Sequence, residues 1–351
     1  MNYSDAVCRS LRQARVFSDS DGHTVTSIDI SPDGAQVVAS SEDEALRLYD
    51  AEDSGALLKT LFAKKYGVSL VRFAHAPGTV VCASRNNWDN CLRYWSLHDN
   101  RYLRYFKGHR AEVVGLSVSP KDDKLLSASA DGTCRLWDVR SDACAGFLRL
   151  PNRDARPLIA FDDTGIIFAV AAPSAGQGAT VKLYSATEHD RGPFQTISVP
   201  SPHASCATSL KFSSNGKYLL LAGGSNTCFL IDTFDDKVVC EYRLSCPASV
   251  VTDAAITPDC AYVMAGTSGP KDSGGRGGGG GGGSIHIWPF GVSPGCMAPG
   301  PQIITEEVAV HKHMHSGPVT ALMCSPTTLL VASACRNLNF WIPDLDRIAA
   351  R

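Results

Sequence analysis

The chain has little charge, and it contains neither a long hydrophobic run nor a Cys-x-x-Cys pair. Charged residues make up 19% of its 351 residues, the formal net charge is −2 and the pI is near 6.5. A near-neutral protein lacks the broad basic surface with which a general nucleic-acid binder displaces counterions. The longest apolar stretches, 166–172 and 218–222, are far shorter than the roughly 20 residues of a membrane-spanning helix.

The 13 cysteines are odd in number, and most lie in apolar or alternating stretches, where a free cysteine packs as a small hydrophobe. This usage predicts a reducing compartment, the cytosol or nucleus, rather than a disulfide scaffold or zinc site. The N-terminal segment carries Asp5, Arg9 and Arg12 without an apolar core, so we do not expect a secretory signal. Ser4 predicts the N-cap of a short helix, and a transit peptide is the weaker alternative.

What the sequence does contain is a repeat. The clearest copy, 108–140, holds a Gly-His pair, two alternating strands around a Ser-Pro turn, an Asp-Gly turn, and a third strand ending in Trp-Asp. This order is typical of one blade of a WD-repeat β-propeller, whose period is about 40–45 residues. Degenerate copies give seven anchor residues at the ends of third strands: Tyr49, Trp95, Trp137, Tyr184, Ile231, Trp288 and Trp341.

The anchor spacing predicts a closed ring. Fourth strands follow six anchors, the last at 303–310, whereas the chain after Trp341 is too short for one. The leftover segment 13–18 is expected to complete the last blade, which hides open sheet edges. We therefore predict an all-β, seven-bladed WD-repeat propeller over 12–346, preceded by a short segment 1–11. The glycine-rich stretch 269–284 is expected to be a disordered insertion in blade six.

Four residues of the clearest copy match the hydrogen-bonded tetrad of WD repeats: His109, Ser127, Asp131 and Trp137. A catalytic triad is the competing interpretation of His, Ser and Asp, but the spacing favours a structural network, because buried polar groups need partners. The aspartate position is kept as Asp43 and Asp89 in the first two copies.

Other candidate sites are weaker. His311, His313 and His315 alternate as metal ligands on a strand could, but no acidic or cysteine ligand is evident nearby, and a loop cluster is favoured. The glycine run 277–283 lacks the lysine and hydroxyl of a phosphate loop. We expect no catalytic residues, no metal and no cofactor.

Several stretches carry a narrower resemblance: 64–81, 92–106, 108–141, 190–197 and 332–346. They resemble the WD-repeat subunit family of the COMPASS histone methyltransferase complex. In some lineages this family also serves the cleavage and polyadenylation machinery, or a nuclear complex of type 1 protein phosphatase and its targeting subunit. The resemblance implies a nuclear, non-enzymatic adaptor, monomeric within a hetero-complex. It also implies docking of partner peptides, including the phosphorylated C-terminal repeats of RNA polymerase II.

A phosphopeptide requires arginine forks and lysines on a rigid loop face. The loops expected on one face of the ring carry the candidate partner-binding residues: Lys64, Lys65, Tyr66, Arg85, Trp88, Arg110, Arg153, Arg156 and Arg336. The alternative interpretation is that these are ordinary solvated loop charges. Trp88 is either an exposed anchor or packed beneath its own turn.

The alternative function is a substrate receptor of a cullin-type ubiquitin ligase. Residues 137–140 fit the W-D-x-R element by which such receptors bind their adaptor. One copy is weak evidence, because the same tetrapeptide arises by chance in ordinary blades. Neither hypothesis involves a membrane or direct contact with nucleic acid.

Overall fold

The computed structural model describes residues 2–52, 55–86, 88–150, 156–174, 178–269, 282–291, 300–312 and 314–349. They form seven β-sheets arranged as a ring of blades, so the predicted all-β, seven-bladed propeller is confirmed. In each blade the first four strands pair antiparallel from the innermost outward, as the period-two patterns and turn residues predict. The innermost strands line a central channel of about 390 Å³.

Blades one to four are continuous in sequence. Blade one contains β2 (Val25–Ile30), β3 (Gln36–Ser41), β4 (Ala45–Asp50) and β5 (Leu57–Phe62). Blade two contains β6 (Ser69–Phe73), β7 (Thr79–Ala83), β8 (Leu92–Ser96) and β9 (Arg101–Phe106). Blade three contains β10 (Val113–Val118), β11 (Lys124–Ser129), β12 (Thr133–Asp138) and β13 (Cys144–Arg149). Blade four contains β14 (Leu158–Phe161), β15 (Ile167–Pro173), β16 (Ala179–Ser185) and β17 (Gln195–Val199).

The last three blades are less regular. Blade five contains β18 (Ser209–Phe212), β19 (Tyr218–Ala222), β20 (Thr227–Asp232), β21 (Lys237–Arg243) and β25 (Gln302–Ile304). Blade six contains β22 (Val250–Ile256), β23 (Tyr262–Ser268), β24 (Ile285–Pro289) and β26 (Ala309–His311). Blade seven contains β27 (Ala321–Cys324), β28 (Val331–Ala334), β29 (Leu338–Pro343) and β1 (Leu11–Phe17). The helices are α1 (Asp5–Ser10), α2 (Leu345–Ala349) and two 3-10 turns, His189–Arg191 and Pro202–Cys206.

Burial differs sharply between inner and outer strands. All five residues of β7 are buried, because both faces of a blade pack against its neighbours, whereas β9 alternates exposed and half-buried residues until Phe106. Each fully buried Val or Leu contributes about 1.5–3 kcal/mol to the free energy of unfolding. The core is therefore a series of interfaces between blades, each with an aromatic or aliphatic anchor, such as Trp95 or Trp137.

Hydrogen bonds between first strands set the spacing of the blades. The Ser27 Oγ accepts from the backbone N–H of Val71 at 2.8 Å, and Asp29 accepts from that of Phe73 at 2.7 Å. Ser117 and Phe161 repeat the arrangement between blades three and four at 3.2 Å. Each pair is 44 residues apart, so these bonds join equivalent positions of neighbouring blades.

The N-terminal segment closes the ring, as predicted. β1 pairs antiparallel with β29 of blade seven, with Leu11 opposite Pro343 and Phe17 opposite Leu338. The helix α1 begins at the predicted N-cap, where the Ser4 side chain accepts from the Val7 N–H at 3.3 Å. This pairing covers the outer edge of β29, which would otherwise be open.

The prediction that 303–310 forms the fourth strand of blade six is wrong for the first half of this segment. Gln302–Ile304 forms β25, which pairs parallel with β21 and becomes a fifth strand of blade five. Only Ala309–His311 pairs with β24 in blade six. Glu307, between the two strands, faces inward and accepts from His286 Nδ1 at 2.9 Å, which turns the chain from one blade to the next.

The predicted glycine-rich insertion, 269–284, lies mostly outside the described residues, which omit 270–281. Across the described part of the chain, neither α-helix has the length and apolar character needed to cross a membrane.

Candidate partner-binding surface

Blade three brings together the four residues of the predicted tetrad. Trp137 Nε1 donates to Ser127 Oγ at 2.9 Å, and this oxygen lies 2.7 Å from His109 Nε2. The other ring nitrogen, Nδ1, is 3.5 Å from a carboxylate oxygen of Asp131. Because Ser127 accepts from the indole, its hydroxyl proton can be donated to His109 Nε2, which directs an Nδ1–H at Asp131. The four side chains form one directed chain across the second and third strands.

The environment of His109 suits a structural contact better than proton transfer. Its side chain is fully buried, and burial lowers its pKa to about 4 although Asp131 opposes the shift. A general base works best with a pKa near the working pH and within reach of a substrate. At neutral pH the imidazole is uncharged, and the His109 side chain does not reach solvent.

Blade seven contains a second network of the same kind, which the sequence motifs only partly indicated. Trp341 Nε1 donates to Ser333 Oγ at 2.6 Å, and this oxygen lies 2.9 Å from His315 Nε2. Cys335 occupies the turn position of the aspartate, and the Asn339 amide lies 3.3 Å from His315 Nδ1. Burial lowers the pKa of His315 to about 4. The sequence signal that could have identified this network is a serine eight residues before the anchor tryptophan.

Blades one and two use arginine in place of histidine. Arg47 of β4 is buried and donates to Ser41 Oγ at 2.7 Å and to the Asp43 carboxylate. Arg93 of β8 donates to Asp89 at 2.5 Å and to the hydroxyl of Ser84, the residue that follows β7. The sequence placed both aspartates correctly but missed the arginines, although each lies two residues before an anchor.

The upper face of the ring carries the connections between blades and the turns between second and third strands. Lys64, Lys65 and Tyr66 lie in the β5–β6 connection, and Trp88 lies in the β7–β8 turn. Trp88 is 68% exposed, which settles its two alternatives in favour of an exposed side chain. Lys65 Nζ lies 5.6 Å from the centre of the Trp88 ring and 5.1 Å from that of Tyr66. We call these four residues the cation–aromatic surface.

The base of this surface is rigid. The Arg93 guanidinium carbon is 3.7 Å from the centre of the Tyr66 ring, and Asp89 holds the same guanidinium in place. Lys64 Nζ lies 5.6 Å from the ring of Phe62, another exposed aromatic residue. Exposed cation–π contacts contribute about 0.5–1 kcal/mol each, so the lysines are oriented by the rings but stay accessible to solvent.

The other predicted partner-binding residues do not join this surface as free cations. Arg85 forms a 2.6 Å salt bridge with Glu42 of blade one, and its hydrogen bond lowers the pKa of that carboxyl. Arg156 forms a 2.8 Å salt bridge with Glu112 of blade three. Both bridges connect neighbouring blades, so these arginines are partly neutralised.

The last three members of the predicted set are dispersed. Arg110 is exposed in the β9–β10 connection, and its backbone N–H donates to Asp131 at 2.8 Å. Arg336 is exposed in the β28–β29 turn, where its carbonyl accepts from Ser20 Oγ at 2.6 Å. Arg153 lies outside the described residues. The predicted basic face is therefore concentrated at Lys64 and Lys65.

The alternating histidines do not converge. His311 Nε2 lies 3.0 Å from the carbonyl oxygen of Cys8, and His315 belongs to the blade-seven network, while His313 lies outside the described residues. In the part of the chain that the structure describes, no group of three or more His, Cys, Asp or Glu side chains could hold a metal ion.

The sequence matches the family model "WD domain, G-beta repeat" at residues 12–50, 100–138 and 194–232. It is 34% identical over 340 residues to "WD repeat-containing protein 82" of Drosophila melanogaster, covering 97% of this chain and 96% of the relative. It is 41% identical over 212 residues to "Set1 complex component swd2" of Schizosaccharomyces pombe, covering 60% of this chain and 57% of the relative. It is 32% identical over 254 residues to "COMPASS component SWD2" of Saccharomyces cerevisiae, covering 70% and 74%. The chain belongs to the WD-repeat family that contains these Swd2 proteins and WD repeat-containing protein 82.

Proposed function

We propose that this protein is a non-enzymatic scaffold subunit of a nuclear complex that acts on transcription and chromatin, of the COMPASS histone methyltransferase type. The observation that carries the proposal is the 34% identity to WD repeat-containing protein 82, which extends over 97% of the chain, together with the matches to two Swd2 proteins. A closed ring of seven blades is a rigid body with many loops, which suits simultaneous contacts with several proteins.

We place partner docking at the cation–aromatic surface. Lys64 and Lys65 supply positive charge beside an exposed indole, a combination that suits an acidic or phosphorylated peptide with an apolar residue next to its charge. The phosphorylated C-terminal repeats of RNA polymerase II are one such ligand. Arg85, Arg110, Arg153, Arg156 and Arg336 then act as a weaker, outer set of contacts.

A type 1 phosphatase complex, or the machinery of 3′-end processing and transcription termination, is an alternative setting for the same docking surface. The tetrad of His109, Ser127, Asp131 and Trp137 serves stability, and residues 12–346 act as one domain with 1–11 packed against it. In the complex, the subunit is a single copy that contacts proteins only.

Affinity purification of the tagged chain from nuclear extract, followed by mass spectrometry, tests this function. Recovery of a methyltransferase, phosphatase or polyadenylation subunit is the expected result. Recovery of a cullin adaptor without any of these subunits would contradict the proposal.

That second outcome would support the alternative, a substrate receptor of a cullin-type ubiquitin ligase. Arg140 of the W-D-x-R element is 74% exposed, which an adaptor contact requires, and it forms a 2.7 Å salt bridge with Asp138 of the same element. Arg140→Ala should abolish recovery of an adaptor if the alternative holds, and it should leave the recovered proteins unchanged if the scaffold function holds.

A further inference from the structure

The lower face of the ring, opposite the cation–aromatic surface, exposes apolar side chains on blades four and five. Ile166 lies in the β14–β15 turn, Phe194 in the β16–β17 turn and Phe234 in the β20–β21 turn. Their exposed fractions are 60%, 57% and 76%, and Phe234 is the most exposed large hydrophobic residue of the described chain. Pro193, next to Phe194, is also exposed. We call these four residues the apolar patch.

The three turns lie side by side. Ile166 precedes β15 and Phe194 precedes β17, and these strands are separated only by β16, so the two turns are about 10 Å apart. Gln195 Nε2 donates to the carbonyl oxygen of Thr233 at 2.5 Å, which joins the Phe194 turn to the Phe234 turn across the blade boundary. The patch therefore spans two adjacent blades rather than consisting of isolated side chains.

The turns that carry the patch are held in place. His189, in the loop before Phe194, is buried and packs over Gly146 of blade three, where a Cβ would approach its ring within 2.3 Å. The backbone N–H of Phe194 donates to the Leu183 carbonyl at 3.0 Å, and that of Phe234 donates to Asp232 at 2.9 Å. Large apolar side chains on fixed turns are a feature of binding sites rather than of mobile loops.

The charges around the patch are mainly negative. The exposed acids in these turns are Asp163, Glu188, Asp190, Asp235 and Asp236, against the exposed cations Arg191 and Lys237, with Lys217 and Lys121 in the neighbouring turns. Three of these cations are paired with a carboxylate: Arg191 with Glu188 at 2.8 Å, Lys217 with Asp232 at 3.5 Å and Lys237 with Asp235 at 3.0 Å. Asp163, Asp190 and Asp236 leave the rim with excess negative charge.

We propose that the apolar patch is a second docking site, which takes a basic amphipathic segment of a partner protein. Ile166, Phe194 and Phe234 would bury the apolar side of that segment, and the acidic rim would pair with its lysines and arginines. An anionic membrane is disfavoured by the same acids. Two docking sites on opposite faces, of opposite charge preference, allow the ring to hold two different partner segments at once.

The test uses the full chain and a fluorescent amphipathic peptide of leucine and lysine, with a leucine–glutamate peptide of the same pattern as the charge control. Anisotropy should show binding of the lysine peptide at least tenfold tighter than that of the glutamate peptide. The double variant Phe194→Ser/Phe234→Ser should weaken binding of the lysine peptide at least tenfold. Leu103→Ser, which removes a 51% exposed leucine from the outer strand of blade two, should leave it unchanged.

Hydrogen exchange locates the bound peptide. Protection of amides in 162–167, 186–195 and 232–237 is expected, with none at 64–66. Equal binding by Phe194→Ser/Phe234→Ser, or protection confined to other turns, would overturn the proposal. Sedimentation of the chain alone supplies the remaining check. If the chain self-associates and the double variant does not, the occupant of the apolar patch is a second copy of the chain, and the proposal is overturned.

Discussion

The two pairs of blades that stabilise their third strands by polar networks do so with different chemistry. Blades one and two use a buried arginine, Arg47 or Arg93, bound to an aspartate and a serine. Blades three and seven use a neutral histidine, His109 or His315, bound to a serine that also accepts from the anchor tryptophan. The same strand geometry is thus held by a charged network in one part of the ring and by a neutral one in the other.

The difference has a consequence for the surface above each network. In blade two, the arginine side chain extends beneath Tyr66 and so supports the cation–aromatic surface. In blade three, the histidine network ends at Asp131, which accepts from the Arg110 backbone N–H in the β9–β10 connection. The charged network therefore connects stability to the candidate docking surface, whereas the neutral one serves the blade alone.

Removing an arginine from a charged network should cost the most stability. Arg47→Met would leave Asp43 largely buried without its cation, and breaking a buried pair in this way costs about 3–5 kcal/mol. Urea denaturation measures the loss of unfolding free energy. Arg47→Met/Asp43→Asn should recover part of that loss, and a single-variant loss below about 1 kcal/mol would mean that the pair contributes little.

Removing the aspartate from a neutral network should cost less. Asp131→Ala leaves the His109 Nδ1–H without its carboxylate, and an unsatisfied buried donor costs about 1–3 kcal/mol. Cys335→Ala, at the equivalent turn of blade seven, is the matched control and should change stability by less than about 1 kcal/mol. A stable Asp131→Ala protein that no longer binds partners would show that the tetrad belongs to a binding site.

The two kinds of network should respond to acid in different pH windows. Burial lowers the pKa of His109 to about 4 from 6.5, so the unfolded chain binds the proton first and stability falls as pH decreases from about 6.5 to 4. The slope should reach about 1.4 kcal/mol per pH unit for each such histidine. Burial raises the pKa of Asp43, but hydrogen bonds from Arg47 and Ser41 outweigh this effect and hold that pKa below its usual value. The charged network therefore weakens only at lower pH.

Thermal melts between pH 4 and 7 measure this slope. His109→Asn should reduce it, and His98→Asn, at a 92% exposed histidine, should not. Equal slopes in all three proteins would contradict the assignment of a buried neutral histidine.

Substitutions in the cation–aromatic surface should have the smallest effect on stability. Lys64 and Lys65 are exposed and lie over aromatic rings, so Lys64→Glu/Lys65→Glu should change the free energy of unfolding by less than about 0.5 kcal/mol. Denaturation in urea checks this, and a loss above 1 kcal/mol would place these lysines in the structural framework of blades one and two instead.

Local patterns in the sequence predicted most of the fold. The seven blades, the closure by β1 and the cap at Ser4 follow from period-two alternation, turn residues and a leftover strand, all of which are local signals. The division of 303–310 between two blades was not predictable in this way, because Ile303 and Val310 have similar strand propensity, and their pairing depends on contacts with strands distant in sequence.

The candidate site was predicted in part. The four residues of the cation–aromatic surface lie together because they flank β6 and β7, the first two strands of blade two. The repeat itself specifies this arrangement. The salt bridges of Arg85 and Arg156 depend on acids in the preceding blade, at separations of 43 and 44 residues. A search of the sequence for opposite charges one repeat apart would have found these salt bridges, whereas the composition of each loop taken alone could not indicate them.

We propose that Lys64 and Lys65 supply the charge of the docking surface of a nuclear scaffold. The most direct measurement compares the proteins recovered from nuclear extract by the wild type, by Lys64→Glu/Lys65→Glu, and by a charge-matched control, Arg101→Glu/Lys121→Glu. We predict that the first double variant loses at least one methyltransferase, phosphatase or polyadenylation subunit that both other proteins retain, while remaining as stable as the wild type. An unchanged set of recovered proteins would contradict the claim.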